Sequence, residues 1–118
     1  MKSLKRIPVL VAVFLCASAV SAHHAVQAQF DVNEVQSFTG TMTKVELINP
    51  HPYFHLDVER EEGRIENWSI ESVALNALRQ VGLLKQLRVG WEYTVEYHPA
   101  RNGDTVGLMT AITLPTGN

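Results

Sequence analysis

Between Gly40 and Val58 the chain alternates, breaks, and alternates again. Thr43, Val45 and Leu47 interleave with Lys44, Glu46 and Ile48; Asn49-Pro50-His51-Pro52 follows; then Phe54, Leu56 and Val58 interleave with Tyr53, His55 and Asp57. A period of two belongs to a half-buried β-strand, whose successive side chains point to opposite faces. Neither proline can donate to a sheet ladder, so the break reads as a sharp corner between two strands. Upstream, Phe38 and Met42 fall on the opposite parity to Val45. A change of inward face near Gly40 predicts a bulge or bend there, where glycine is tolerated.

The rest of the chain supplies partners for this pair. The first strand is expected over 35–48, the second over 53–59. Glu61-Glu62-Gly63 reads as a charged turn, and 64–70 as a third strand with Trp68 and Ile70 on one face and Asn67 and Ser69 on the other. At Ser72 the period changes: Val73, Leu75, Ala77, Leu78 and Val81 suit a short helix with a buried stripe, Ser72 its N-cap and Gly82 its stop. A further helical turn is expected within 83–89. Trp91, Tyr93, Val95 and Tyr97 mark the inward face of a fourth strand, Arg101-Asn102-Gly103 a hairpin loop, and Val106, Leu108, Ile112 and Leu114 the last strand. Three strands, a helix and two strands give an all-β domain with one short helix, in the order of an OB-like five-stranded antiparallel barrel. A plain antiparallel sheet packed on one helix is the alternative.

The N-terminal residues 1–22 read as a secretory signal peptide rather than as part of the fold. Lys2, Lys5 and Arg6 precede an apolar run from Ile7 to Ala17, and Val20-Ser21-Ala22 offers a cleavage site, with Ala17-Ser18-Ala19 as a second possibility. Cys16 is the single cysteine and would leave with the leader. Cleavage after Ala22 leaves 96 residues: an arm over 23–34 and one domain over 35–118. Such a domain would bury roughly 60–65% of the surface of its unfolded chain. Without thiols it depends on its apolar core, and thiolate metal sites and cysteine nucleophiles are excluded. The leader takes three of the ten Lys and Arg and none of the twelve Asp and Glu, so the mature charge is −5. From that balance we expect no nucleic-acid partner, no stable membrane insertion after cleavage, and a periplasmic or secreted location.

Several runs of residues carry a resemblance. They are Ala-His-His after the leader, Phe30-Asp31, Gly40-Thr41-x-Thr43-x-Val45-Glu46, Asn49-Pro50-His51, Asn67-Trp68-x-Ile70-Glu71, Asn76-Ala77-Leu78, and His98-Pro99-Ala100-Arg101-x-Gly103. Together they resemble a family of small exported bacterial proteins, mostly proteobacterial, catalogued as a domain of unknown function. The resemblance implies a single exported domain and brings no activity, cofactor or catalytic residue with it.

All five histidines, His23, His24, His51, His55 and His98, fall in the mature chain. With His23 as residue one, its α-amine and imidazole could chelate copper or zinc together with His51 or His24. The corner and the outward stripe make the candidate ligand surface: Asn49, His51, Tyr53, His55 and Asp57, with Asn67 and Trp68 beside them. His98 reads as an exposed loop residue. No nucleophile with a neighbouring base, no carboxylate pair in an apolar pocket and no phosphate-cradling loop appears. The expectation is a binding module for a small molecule, peptide or protein. The alternatives are a copper or zinc protein using His23, His24 and His51, and an assembly subunit pairing through a strand edge. Oligomeric state is open.

Overall fold

The computed structural model describes residues 25–115; the expected leader, His23 and His24 lie outside the described residues. Among the described residues the strands β1 (Gln36–Glu46), β2 (Tyr53–Glu59), β3 (Ile65–Glu71), β4 (Glu92–Pro99) and β5 (Val106–Thr113), with the short helix α1 (Leu75–Gln80) between β3 and β4, follow the expected order, and a further helical turn spans 25–29 in the arm. The strands close into a barrel in the spatial order β1-β2-β3-β5-β4. β1 belongs to two ladders: its first half pairs with β4, its second with β2, and Thr41 faces both Glu92 and Asp57. The expectation of an antiparallel barrel needs one correction, because β3 and β5 run parallel, from Ser69↔Val106 to Glu71↔Leu108. A closed ring with an odd number of strands cannot alternate direction all the way round. The β4–β5 hairpin reverses the chain, and β5 returns along β3 in β3's own direction.

Alternation sorts the side chains as expected over β2, with Phe54, Leu56 and Val58 buried, and over β3, with Trp68 and Ile70 buried. The change of face in β1 is not at Gly40. Phe38, Gly40 and Met42 all point inward, and the register slips between Met42 and Lys44. The extra residue is Thr43, whose hydroxyl donates to the His55 carbonyl at 3.1 Å. Gly40 instead allows close approach: a Cβ there would stand 2.8 Å from the Asp57 carbonyl oxygen.

One end of the core is an aromatic trio, Phe38, Trp68 and Tyr97, with ring centroids 5.0–5.2 Å apart and tilted. The Trp68 indole N–H donates to Glu66 at 3.2 Å. Glu66 also takes Arg60 at 2.7 Å and Arg64 at 2.8 Å. These hydrogen bonds, Arg60 first, hold its carboxyl down from 4.5 to about 2.

Four local expectations change. Trp91 is 45% exposed, not inward. It precedes β4, past the last β1–β4 pair, and lies under the Arg88 guanidinium at 5.4 Å. The helix starts at Leu75 with Ala74 in the N-cap position, so Ser72 does not cap it. The Ser72 N–H donates to the Pro52 carbonyl at 2.9 Å, which draws the residue into the corner and buries it. Only Leu75 and Leu78 of the expected stripe are buried; Val73, Ala77 and Val81 are exposed, since a helix of six residues has only two turns' worth of inner face. His98 lies within β4, one residue before its end, rather than in a loop, and its Nδ1 bonds the Glu34 carbonyl at 2.7 Å. With the Phe30↔Ala100 bridge, this fastens the arm across the β4–β5 hairpin.

Candidate functional site

Register places three rows of side chains on the outer face of β1, β2 and β3. Next to the corner the row is Glu46, Tyr53, Glu71; the second is Lys44, His55, Ser69; the third is Thr41, Asp57, Asn67. The bulge at Thr43 makes this face. In the register before it, Val45 would stand opposite Tyr53 and turn outward; one extra residue puts Val45 inside and Lys44 and Glu46 outside.

His55 is the centre of the grid. One ring nitrogen, Nε2, bonds Glu46, and the other, Nδ1, lies 3.0 Å from the Ser69 hydroxyl. A neutral ring protonated on Nε2 satisfies both, donating to the carboxylate and accepting from the serine. The hydrogen bond from His55 chiefly, and Lys44 at 3.7 Å after it, hold the Glu46 carboxyl below the usual range, against partial burial. In the row beside the corner, burial first, then the charges of Glu71 and Glu46, push the Tyr53 hydroxyl up. In the third row Asn67 donates its amide to Asp57.

The serine, imidazole and carboxylate are linked as in an activated nucleophile. What acyl transfer further requires is a free donor for a developing oxyanion. The Ser69 N–H is already given to the Thr105 carbonyl at 3.0 Å, as the closing of the sheet demands. This arrangement orders the imidazole.

Of the expected site residues, Tyr53, His55, Asp57 and Asn67 share the face. His51 meets it at the corner, its Nδ1 3.4 Å from Glu71. Asn49 is exposed and joined to Pro50 by a cis peptide bond. Trp68 does not belong with them: it follows Asn67 on β3, so it projects to the opposite side, into the core. Glu46, Ser69 and Lys44 were missed, because their partnership with His55 depends on pairing between strands. Their outward parity was the one available signal. Among the described residues no group of three or more His, Cys, Asp or Glu is arranged to hold a metal ion.

A cleft of about 310 Å³ opens at the other end, beside the start of β1. Trp68 shows one edge there, and Asp31, Glu34, Arg101 and Asp104 stand around it. Its polar groups have local partners: Asp31 takes the Asn33 N–H, Glu34 takes Gln36, Asp104 takes Asn102, and Arg101 donates to the Gln27 carbonyl.

Barrel order, helix position and an outer polar face beside the β1–β2 corner define an OB-fold domain. Solved structures agree. The mitochondrial single-stranded DNA binding protein Rim1 of S. cerevisiae superposes with a TM-score of 0.56 at 17% identity, over 70% of this chain and 93% of that one. The N-terminal domain of PriB from Thermoanaerobacter tencongensis gives 0.51 at 20% identity, over 70% and 96%. A small single-stranded DNA-binding protein from Streptomyces coelicolor gives 0.51 at 16%, over 72% and 95%. The chain itself belongs to the family of unknown function DUF6152, which it matches over residues 11–110. No curated protein matches it. The expectation that nucleic acid is not a partner is corrected by these likenesses. They are likenesses of fold, but single-stranded DNA-binding proteins are built on this architecture, so net charge does not exclude such a ligand. No helix among the described residues is long and apolar enough to cross a membrane.

Proposed function

We propose that this chain is an exported, non-catalytic binding domain, periplasmic or secreted, that holds its ligand on the outer face of β1, β2 and β3 beside the 47–52 corner. The observation that carries the reading is the grid itself: aligned rows of polar side chains, with Glu46, Tyr53, His55, Asp57, Ser69 and Glu71 half-buried, on the face that OB-folds use for oligonucleotides and oligosaccharides. A non-catalytic role is supported by Ser69, whose own N–H is given to the Thr105 carbonyl and so is not free to serve an oxyanion. Export is supported by the leader-like composition of residues 1–22.

The test is amide-shift mapping by NMR on the purified protein with an oligosaccharide, a short peptide, a polyamine and a single-stranded oligothymidylate. A ligand of this face shifts Tyr53, His55 and Ser69 together and loses affinity in Tyr53→Ala. A ligand whose shifts are confined to the far cleft overturns the reading. Mass spectrometry of the exported chain reads its first residue, and a retained Met1 would refute the leader.

A further inference from the structure

The apolar residues left in solvent are not spread evenly. Leu47, Ile48, Val73, Val81, Val89 and Trp91 are exposed, and all six lie at one end of the barrel. β1 and β3 finish there and β4 begins there, as their pairings require. The connection 72–91 joins the end of β3 to the start of β4, so it lies across that end as a cap. Leu75 and Leu78 turn inward from it, and Leu83, Leu84 and Leu87 pack against the core. The arm is fastened at the opposite end, where Phe30 bridges Ala100 beside the β4–β5 hairpin.

Charge is divided in the same way. Residues 73–91 carry Arg79, Lys85 and Arg88 and no Asp or Glu, whereas the other described residues carry four Lys or Arg and all twelve Asp and Glu. The three cations are exposed, and among the described residues none of them is in an ion pair. The Arg88 guanidinium stands 5.4 Å over the Trp91 ring, which is 45% exposed. The carboxylates at this end of the strands, Glu46, Glu71 and Glu92, belong to the outer wall, in register with Tyr53 and Thr41. A positive cap on a negative body orients the molecule towards negative charge.

We infer that this cap docks on an anionic lipid bilayer, with no segment crossing it. The cations meet headgroup phosphates, while Val81, Val89 and Trp91 reach into the boundary between headgroups and acyl chains. The apolar side chains stand singly among the cations, Val81 at 73% exposure and Val89 at 63%, and the cleft lies at the other end of the barrel. A folded partner would need pockets matched to such protrusions, whereas a fluid surface conforms to them. An indole suits that boundary, its ring in the apolar layer and its N–H towards water. The long Arg and Lys stems lie along apolar surface while their heads reach phosphate. The 47–52 corner adjoins the cap, since the Ser72 N–H is bonded to the Pro52 carbonyl, so docking holds the β1–β2–β3 face beside the membrane. The inference goes beyond the proposed function and does not depend on which ligand that face takes.

The test is co-sedimentation of the purified protein with vesicles of phosphatidylcholine alone and of phosphatidylcholine with phosphatidylglycerol, with tryptophan emission recorded on the same samples. The protein should bind the mixed vesicles and not the neutral ones, with a blue shift from Trp91 and release as salt is raised. Lys85→Gln and Arg88→Gln should each weaken partitioning about fivefold, the loss expected for one cation near a charged surface. Trp91→Ala should weaken it as well and abolish the blue shift. Arg101→Gln, the same loss of charge at the opposite end, should change nothing. Circular dichroism should find every variant folded. Equal binding to both kinds of vesicle, or binding that ignores the cap substitutions, overturns the inference. Saturable binding of polyglutamate or oligothymidylate through Lys85, Arg88 and Trp91, without vesicle binding, assigns the cap to an anionic polymer and overturns the lipid inference. Neither result touches the outer face, whose ligands shift Tyr53, His55 and Ser69.

Discussion

Gly40 offers the sharpest test of how the barrel is put together. It sits where β1 passes from β4 to β2, next to Thr41, the residue shared by both ladders. A methyl group there would lie 2.8 Å from the Asp57 carbonyl oxygen and 3.1 Å from Val58 Cγ2. Carbon–oxygen contacts between strands rarely fall below about 3.3 Å, so β1 and β2 would have to part by roughly half an ångström. The offending atom is backbone and cannot swing aside. Overpacking of this kind costs about 1–3 kcal/mol, and the stiffer unfolded chain of an alanine returns about 0.4–1 kcal/mol. Gly40→Ala should therefore lose about 1–2 kcal/mol, or roughly 10 °C in Tm for a domain of this size. Urea unfolding measures it, and amide shifts at Asp57 and Asn67 report the strain reaching the polar face. A variant within about 0.5 kcal/mol of wild type, with unchanged m-value, would refute the close approach at this crossing.

Other consequences are as direct. Glu66 is held at about 2 in the folded chain by Arg60, Arg64 and Trp68. Because the folded value is the lower one, its contribution is present above pH 4.5 and is lost as pH falls from there towards 2. Glu66→Gln should flatten that stretch of the stability–pH curve, as followed by urea midpoints. Ser72 is 1% exposed and its hydroxyl is without a partner among the described residues, so Ser72→Ala should raise stability by about 1 kcal/mol in the same assay. Leu78 is one of two residues anchoring α1 and is fully buried, so Leu78→Ala should cost about 2–5 kcal/mol. Trp91→Ala, by contrast, removes an exposed ring and its Arg88 contact and should cost no more than about 1 kcal/mol by thermal melt.

What the amino-acid order determined by itself is what depends on near neighbours. The alternation of Phe54, Leu56 and Val58 with Tyr53, His55 and Asp57 assigns two faces to β2 wherever it pairs, because the pleat has a period of two. The paired prolines oblige a corner, and the shift to helical spacing after β3 limits the topology to very few folds. Tertiary structure decided whatever requires two distant segments to be aligned. Whether Lys44 and Glu46 face water or core turns on one looped-out residue: the parity change between Met42 and Val45 announces a slip, and only the pairing with β2 places it at Thr43. The Glu46–His55–Ser69 link follows from the registers of β1 with β2 and of β2 with β3, and the parallel joint of β3 with β5 follows from ring closure. Trp91 shows the same limit: apolar character and parity favour burial, yet its carbonyl accepts the Met42 N–H of β1 at 2.9 Å while its ring is 45% exposed beneath Arg88.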